Sequence, residues 1–126
     1  MEKPLLLIVD DEQEICEITC SFLKKKNYSV ISANAAEEAL VLINQKHPRL
    51  VLLDMRLGED SGLDVLKKIK QLDATIQVIM VTALNDEQSA QEAMAQGAIA
   101  YITKPFTATF LNDLIAQKLQ EGGISS

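Results

Sequence analysis

The sequence predicts an α/β fold, a doubly wound (βα)5 arrangement in which a five-stranded parallel sheet carries helices on both faces. The first observation is that five short apolar runs alternate with five longer segments of helical period, which is the pattern of successive βαβ units. The second is that these runs are apolar almost throughout, as in the Leu-Leu-Leu-Ile-Val of residues 5–9. Strands of that composition are typical of parallel sheets covered on both faces.

The five predicted strands are short and aliphatic, and they cover residues 5–9, 28–32, 50–53, 76–81 and 99–102. The predicted helices, in which apolar residues recur every three or four positions, cover about 12–26, 35–46, 62–72, 86–96 and 107–120. Asn34 and Glu37 predict a capping box at the start of the second helix. The other terminal signals are Asn85 or Asp86 before the fourth helix, Gly97 after it and Thr107 before the fifth.

The first helix carries both cysteines of the chain. Cys16 and Cys20 without a cluster of histidines form neither a disulfide framework nor a zinc site. We interpret them as small, half-buried apolar side chains on the flank of the helix. The residues that centre its apolar face on a helical wheel, and that we expect to pack on the sheet, are Ile15, Ile18, Thr19 and Phe22.

Length and composition indicate one folded domain, because the chain has 126 residues of which 48% are hydrophobic and 24% are charged. We assign residues 1–120 to this domain and residues 121–126 to a tail, a linker stub or a cloning remnant. Twelve basic against eighteen acidic residues give a net charge of −6, which argues against direct nucleic acid binding. The longest apolar run is far shorter than the ~20 residues that span a bilayer, so we expect a cytoplasmic protein without a membrane partner.

Polar and charged residues stand where the predicted strands end. Asp10 and Asp11 follow the first strand, and Asp54 follows the third. Thr82 follows the fourth strand, and Lys104 comes shortly after the fifth. Ligands of open parallel sheets bind beyond the carboxyl ends of the strands, so we expect these five side chains to converge at that edge.

Three carboxylates at one edge would repel one another strongly unless a cation or raised pKa values compensated them. Hard oxygen ligands of this kind suit Mg²⁺, which prefers phosphate oxygens as further ligands. The first strand is followed by two aspartates rather than by a glycine-rich turn, so the nucleotide-binding fingerprints are absent. A carboxylate is ionised at neutral pH and can attack phosphorus, which makes an aspartyl phosphate the predicted product.

Four short motifs occur in the order and at the spacing of a known family. They are Ile8-Val9-Asp10-Asp11-Glu12, Leu52-Leu53-Asp54-Met55, Val81-Thr82-Ala83 and Tyr101-Ile102-Thr103-Lys104-Pro105-Phe106. With these motifs, residues 4 to about 120 resemble the receiver domain of bacterial two-component response regulators, of the chemotaxis-regulator-like type. The resemblance implies a flavodoxin-like sheet of strand order 2-1-3-4-5 and a role in phosphorelay signal transduction.

The resemblance implies that Asp54 accepts a phosphoryl group from the phosphohistidine of a sensor histidine kinase or from a phosphotransfer protein. It also implies an Mg²⁺ ion, with Mn²⁺ as an alternative, whose protein ligands would be Asp10, Asp11, Asp54 and the backbone carbonyl of Arg56. Lys104 would contact the acceptor carboxylate and then a phosphoryl oxygen. The protein would be no enzyme but a phosphoacceptor domain that assists its own phosphorylation and dephosphorylation.

The resemblance further implies a conformational switch. Thr82 would move to donate a hydrogen bond to the phosphoryl group, and Tyr101 would follow inward to fill the space behind it. The alternative for Tyr101 is an ordinary strand residue with its hydroxyl at the surface. The surface that changes would be the fourth helix, fifth strand and fifth helix, which would bind an effector domain or partner protein, or form a phosphorylation-dependent homodimer.

Two backbone features also follow from the resemblance. The peptide bond between Lys104 and Pro105 would be cis. Gly58 stands where the family usually has proline, which predicts a more flexible loop over residues 55–61.

Two other classes of function remain open from the residues alone. A metal-dependent phosphatase with an aspartyl nucleophile would carry its two acids two positions apart on one loop, whereas Asp10 and Asp11 are adjacent and Asp54 lies on another strand. A degenerate receiver, which only binds other proteins and is never phosphorylated, would lack part of the constellation of acids, threonine and lysine. Both alternatives predict a different outcome when the protein is incubated with a phosphoryl donor.

Overall fold

The computed structural model describes residues 3–124. The strands are β1 (Leu5–Val9), β2 (Ser29–Ala33), β3 (Leu50–Asp54), β4 (Arg56–Leu57), β5 (Asp60–Ser61), β6 (Gln77–Thr82) and β7 (Ala100–Thr103). The helices are α1 (Gln13–Lys25), α2 (Ala36–Lys46), α3 (Gly62–Leu72), α4 (Glu87–Ala95) and α5 (Ala108–Ile124). Within this part of the chain, every helix is too short or too polar to cross a lipid bilayer.

The central sheet has five strands in the order β2-β1-β3-β6-β7, and all neighbouring pairs are parallel. Because β6 and β7 are the fourth and fifth of the predicted strands, this arrangement confirms the doubly wound fold and the order 2-1-3-4-5. The strands β4 and β5 form a separate antiparallel hairpin that the sequence analysis did not predict. Two-residue strands are too short to show a periodic pattern.

The hydrophobic core has two halves, one on each face of the central sheet. Helices α2, α3 and α4 cover one half, where Ile43 and Leu66 are fully buried. Helices α1 and α5 cover the other, where Leu23 and Ile115 are fully buried. Burial of each such side chain stabilises the fold by roughly 1.5–3 kcal/mol. The sheet edge that carries the strand ends is therefore set on a rigid support.

The buried face of α1 is not the predicted one. Cys16, Cys20 and Leu23 face the sheet, whereas Ile15 and Ile18 are exposed, Ile18 to 67%. A helical wheel shows which residues share a face, but it does not show which of two apolar faces the sheet covers. The cysteines are free thiols in the core, whereas Ile15 and Ile18 of the predicted central face are turned outward and Phe22 packs partly buried against the core.

The N-terminal caps of the helices follow the predicted signals in two of three cases, and the predicted C-terminal signal is also found. Asp86 caps α4 by accepting a hydrogen bond from the Ser89 N–H, and the Thr107 hydroxyl accepts one from the Phe110 N–H at 3.0 Å. Gly97 follows the end of α4 with a φ of +108°, as predicted.

The predicted capping box of α2 is wrong. The cap residue is Ala35, and the Glu38 carboxylate, not Glu37, accepts from the Asn34 N–H at 2.8 Å. The side chain of Asn34 is used elsewhere, because its Nδ2 donates to the backbone carbonyl oxygen of Asp10 at 2.9 Å. A partner 24 residues away cannot be read from a local pattern.

The element ends differ slightly from the predicted ones. β3 includes Asp54 and β6 includes Thr82, so the sheet ladder holds both residues. α5 continues to Ile124, beyond the predicted end of the fifth helix at about residue 120, whereas residues 125–126 lie outside the described residues. The division of the chain at residue 120 stays a prediction.

Two side chains fasten the C-terminal half of α5 to the sheet. Arg49 Nη2 donates to the carbonyl oxygen of Leu119 at 3.3 Å, and Gln77 Nε2 donates to the carbonyl oxygen of Lys118 at 2.9 Å. Arg49 precedes β3 and Gln77 begins β6. Both contacts therefore lie at the amino ends of the strands, opposite the edge that carries the polar strand ends.

Candidate functional site

The candidate site is a cavity of about 300 Å³ at the carboxyl ends of β1, β3, β6 and β7. Asp54 is the last residue of β3, Thr82 is the last residue of β6, and both are buried. Its lining residues are Asp11, Glu12, Asp54, Met55, Arg56, Thr82, Ala83, Asp86 and Lys104. The structure thus brings together the strand-end residues that the topology predicts, with the buried Asp10 beside Lys104.

Both oxygens of the Asp54 carboxylate have a hydrogen-bond donor. Lys104 Nζ donates to Oδ2 at 2.7 Å, and the Arg56 backbone N–H donates to Oδ1 at 3.1 Å. The next peptide is held in turn, since the Met55 N–H donates to the Val81 carbonyl oxygen at 2.9 Å. Asp54 is therefore a buried carboxylate of fixed orientation, facing a cavity.

Lys104 is held in the site by its own backbone, because its N–H donates to the Thr82 carbonyl oxygen at 2.9 Å and continues the ladder of β6 and β7. Its Nζ also lies 3.8 Å from Asp10 Oδ2 and 3.9 Å from Glu12 Oε1. Burial lowers the pKa of Lys104, but the hydrogen bond and charge of Asp54 and the charges of the two other acids outweigh it and raise the pKa overall. The ammonium group stays charged at neutral pH.

Three carboxylates form the acidic cluster of the site, which consists of Asp10, Asp11 and Glu12. Their ligand oxygens all lie within 4.8 Å of one another. The Glu12 N–H donates to Asp10 Oδ1 at 2.9 Å, and burial raises the pKa of Asp10 despite that hydrogen bond. Close carboxylates in a partly buried cluster are the donor set that a hard divalent cation binds.

The membership of this cluster differs from the predicted ligand set. Glu12 belongs to it but was not predicted as a ligand, although it stands in the first motif directly after the two aspartates. Asp54 lies outside this group of mutually close oxygens and is paired with Lys104 instead. Arg56 lines the same cavity.

The structure places Tyr101 away from the cavity. It is 44% exposed and lies with Phe106 and Phe110 on the surface between β7 and α5. Thr82, by contrast, is buried at the cavity wall. The described conformation therefore has the tyrosine outward, and its inward movement stays a prediction.

The loop after Asp54 contains a hairpin and a contact with Asp11 that were not predicted, and its greater flexibility stays a prediction. Residues 55–61 contain the β4–β5 hairpin, and the Gly58 N–H donates to Asp11 Oδ2 at 2.9 Å. The Gly62 N–H donates to the Met55 carbonyl oxygen at 2.7 Å and closes the loop onto α3. The Lys104–Pro105 peptide bond is cis, as the resemblance implies.

An apolar groove of about 680 Å³ borders the site. Residues of α1, of the loop after β6 and of the start of α5 line it, and Ala83 and Lys104 belong to both the groove and the site. Its exposed apolar side chains include Ile18 and Leu84, which are 67% and 68% exposed. The predicted central face of α1 thus forms a groove wall.

A doubly wound sheet whose strand ends hold an acidic cluster, a buried aspartate and a paired lysine defines a class of signalling receiver. The chain belongs to the response regulator receiver domain family, whose model matches residues 6–116. It is thus a domain of two-component, phosphorelay signal transduction.

Named relatives support the same family. The chain is 36% identical over 115 residues to the alginate biosynthesis transcriptional regulatory protein AlgB of Pseudomonas aeruginosa, covering 91% of this chain and 26% of that protein. It is 32% identical over 114 residues to the sporulation initiation phosphotransferase F of Bacillus subtilis, covering 90% and 92%. A CheY-like receiver domain structure from Methanospirillum hungatei superposes with a TM-score of 0.95 at 31% identity, covering 99% and 100%.

Proposed function

We propose that Asp54 is the phosphoryl acceptor of this domain and that its donor is the phosphohistidine of a sensor histidine kinase or of a phosphotransfer protein. The observation that carries the proposal is the contact of 2.7 Å between the Asp54 carboxylate and Lys104 at the wall of an acidic cavity. An Asp54 oxygen attacks phosphorus, the bond from phosphorus to the imidazole nitrogen breaks, and that nitrogen keeps the electron pair. The product is an aspartyl phosphate.

The acidic cluster suits a divalent cation at this site. Asp10, Asp11, Asp54 and the Arg56 carbonyl would hold Mg²⁺ or Mn²⁺, and Glu12 is a further candidate ligand. Such a cation supplies neutralisation of the negative charge on the transferring group.

The residues around Asp54 would stabilise the same charge from the other side. The Lys104 ammonium already contacts the acceptor and would stay with a phosphoryl oxygen after transfer. The Arg56 N–H, which donates to Oδ1, would fix the orientation of the carboxylate together with Lys104, which donates to Oδ2. Phosphoryl transfer asks mainly for such positioning and charge neutralisation, so the domain would assist its own phosphorylation and dephosphorylation without being an enzyme.

The groove beside the site is the surface we assign to the phosphoryl donor. It is apolar, it shares Lys104 with the site, and Ile18 and Leu84 stand exposed at its walls. A donor protein bound there would bring its histidine to the cavity mouth. Exposed apolar patches of this kind mark binding surfaces on soluble proteins.

The output of the domain would depend on Thr82 and Tyr101. A phosphoryl group on Asp54 adds acceptor oxygens that the Thr82 hydroxyl can reach once its loop moves, and Tyr101 can then fill the space that this movement vacates. The surface of α4, β7 and α5 would change and bind an effector or partner protein, or a second copy of the chain.

The extent of the whole protein bears on that output. The chain spans 26% of AlgB and 92% of the sporulation phosphotransferase, and these relatives represent two arrangements, a receiver within a longer transcriptional regulator and a receiver-sized protein. An effector domain on the same chain would fit the first arrangement, and a separate partner protein would fit the second.

The two free thiols of the core suit the cytoplasm, where cysteines stay reduced.

Mass spectrometry after incubation with acetyl phosphate and MgCl₂ tests the proposal. We expect one phosphoryl adduct, absent when MgCl₂ is replaced by a chelator and absent from Asp54→Asn. Turnover of many phosphate esters would point to a phosphatase instead, and the absence of any adduct would point to a receiver that only binds proteins.

A further inference from the structure

A single backbone contact joins the loop after β3 to the acidic cluster. The Gly58 N–H donates to Oδ2 of Asp11 at 2.9 Å, although the two residues are 47 positions apart. Asp11 is exposed, unlike the neighbouring Asp10, so the cavity walls do not enclose its carboxylate. The contact with Gly58 therefore restricts a side chain that the core leaves free to rotate.

The local structure explains why this N–H is available. Leu57 pairs with Asp60 in the β4–β5 hairpin, which leaves Gly58 and Glu59 as a two-residue turn. Gly58 has a φ of +63°, and a positive φ at the first position is typical of a type II′ turn. The N–H of that position takes no part in the hairpin ladder, so it can donate to a group outside the hairpin.

We propose that the Gly58 N–H is a positioning donor for the metal ligand Asp11. By holding Oδ2, it fixes the carboxylate beside the acidic cluster and leaves Oδ1 free to bind the cation. The inference rests on the proposed function, because it takes Asp11 to be a ligand of Mg²⁺. Groups that hydrogen-bond to ligating carboxylates commonly change metal affinity by 10- to 100-fold when they are removed.

The proposed role of Gly58, donation of its N–H to Asp11, is one that proline could not fill. Proline has no N–H and is locked near a φ of −65°, so it could neither donate to Asp11 nor adopt the observed turn. A side chain on Gly58 would clash with nothing, because no atom lies within 4 Å of the position that its Cβ would occupy, and its cost is the strain of the positive φ. Backbone conformation and the N–H are thus the two properties that a substitution of Gly58 can change.

Two variants are compared. Gly58→Pro loses both the N–H and the positive φ, whereas Gly58→Asn keeps the N–H and tolerates a positive φ better than other side chains do. MgCl₂ is titrated into each protein, without any phosphoryl donor, and the dissociation constant is obtained from amide chemical shifts of residues 9–12. We expect Gly58→Asn to bind within about threefold of the wild type and Gly58→Pro to bind at least tenfold more weakly.

The outcomes are distinguishable. Equal or tighter binding by Gly58→Pro overturns the inference, and so does equal weakening of both variants, since the turn rather than the N–H would then matter. Failure of the wild-type protein to bind Mg²⁺ would instead overturn the proposed metal site itself.

A second measurement does not depend on whether Gly58→Pro folds. Amide hydrogen exchange at Gly58 is compared in the wild type, in the wild type with saturating MgCl₂ and in Asp11→Ala. We expect the amide to be protected in the first two and to exchange at least tenfold faster in Asp11→Ala. Faster exchange on addition of Mg²⁺ would show that the cation and Gly58 compete for Asp11, which contradicts a positioning role.

Discussion

Asp10 shows how burial and function oppose each other at one residue. Its carboxylate is buried beside two other acids, and burial raises its pKa. A carboxyl group whose pKa is higher in the folded than in the unfolded state is less stable in its ionised form after folding. The fold therefore gives up stability at neutral pH to keep this acid in the site.

Replacement of Asp10 by asparagine should accordingly raise the free energy of unfolding at pH 7 in the absence of Mg²⁺. The gain should be full at pH 7 and should disappear as the pH falls below the ordinary range of aspartate, where Asp10 is protonated in both states. Urea unfolding at several pH values measures it. MgCl₂ should stabilise the wild type more than the variant.

Asp73 is the matched control for this prediction. Hydrogen bonds from the Thr75 hydroxyl and N–H lower the pKa of Asp73, so its ionised form favours the folded state. Asp73→Asn should therefore lower stability at pH 7, with the effect lost as the pH falls. Stabilisation by both substitutions would indicate a general effect of net charge instead.

At the scale of elements, the start of α3 is fitted closely against the end of β3. A Cβ on Gly62 would overlap the backbone carbonyl oxygen of Asp54 and would lie 2.9 Å from the Cα of Met55. Alanine is a better helix former than glycine by about 1 kcal/mol. At Gly62, however, the clash with backbone atoms makes alanine destabilising.

We expect Gly62→Ala to destabilise the fold by about 1–3 kcal/mol, the usual cost of overpacking, and to slow phosphorylation because it displaces Asp54. Thermal unfolding and the rate of phosphorylation by acetyl phosphate measure the two effects. Gly58→Ala is the control, since the added Cβ would meet no atom within 4 Å and the only cost is the strain of a positive φ. It should cost about 1–2 kcal/mol and, because it keeps the N–H that contacts Asp11, it should slow phosphorylation less than Gly62→Ala does. An increase in stability for Gly62→Ala would contradict the close fit.

The exposed face of α1 gives a separate prediction. Ile18→Asp places a charge in the apolar groove and should slow phosphotransfer from a histidine kinase about tenfold, the effect of losing one important interface contact. The rate with acetyl phosphate should not change, because that donor needs no groove. Val41→Asp is the control, because Val41 is an exposed apolar residue of α2 across the sheet, at 49% exposure against 67% for Ile18. Equal loss with both donors would mean that the site, not docking, was damaged.

The sequence predicted the elements better than their faces. Alternation of strands and helices is a strong pattern, and it identified all five strands of the central sheet. The choice between the two apolar faces of α1 depends on the neighbours of the helix. Ile18 was therefore predicted at the centre of the buried face but is exposed, whereas Cys16 was predicted on its flank but is buried. The capping box of α2 failed because the Asn34 side chain contacts Asp10 rather than its own helix.

At the scale of the whole molecule, topology explains why the site could be predicted at all. Lys104 and Asp54 are 50 residues apart, yet both stand at carboxyl ends of parallel strands, and such ends meet at one edge. No such rule predicts the contact between Gly58 and Asp11. It depends on the turn between β4 and β5, and these two-residue strands are too short to be predicted from the sequence. Glu12 could have been noted, since it continues the run of acids after β1.

Activation should be visible across the molecule as a change in hydrogen exchange. Beryllofluoride, which mimics a phosphoryl group on Asp54, should alter amide protection in α4, β7 and α5, about residues 86–120. Exchange measured with and without beryllofluoride, and repeated on Asp54→Asn as the control, checks this prediction. Changes confined to residues 10–60 would place the output surface elsewhere.

The two hydrogen bonds that hold the C-terminal half of α5 to the sheet restrict how this helix can move. The side chains of Arg49 and Gln77 donate to carbonyl oxygens of α5 far from the site, whereas the N-terminal end of the helix begins a few residues after Lys104. A helix held at its C-terminal half can tilt more easily than it can slide along its axis. A displacement at the phosphorylated edge of the sheet would thus rotate α5 about these two contacts, and the largest movement would occur near Phe110, at the N-terminal end of the helix.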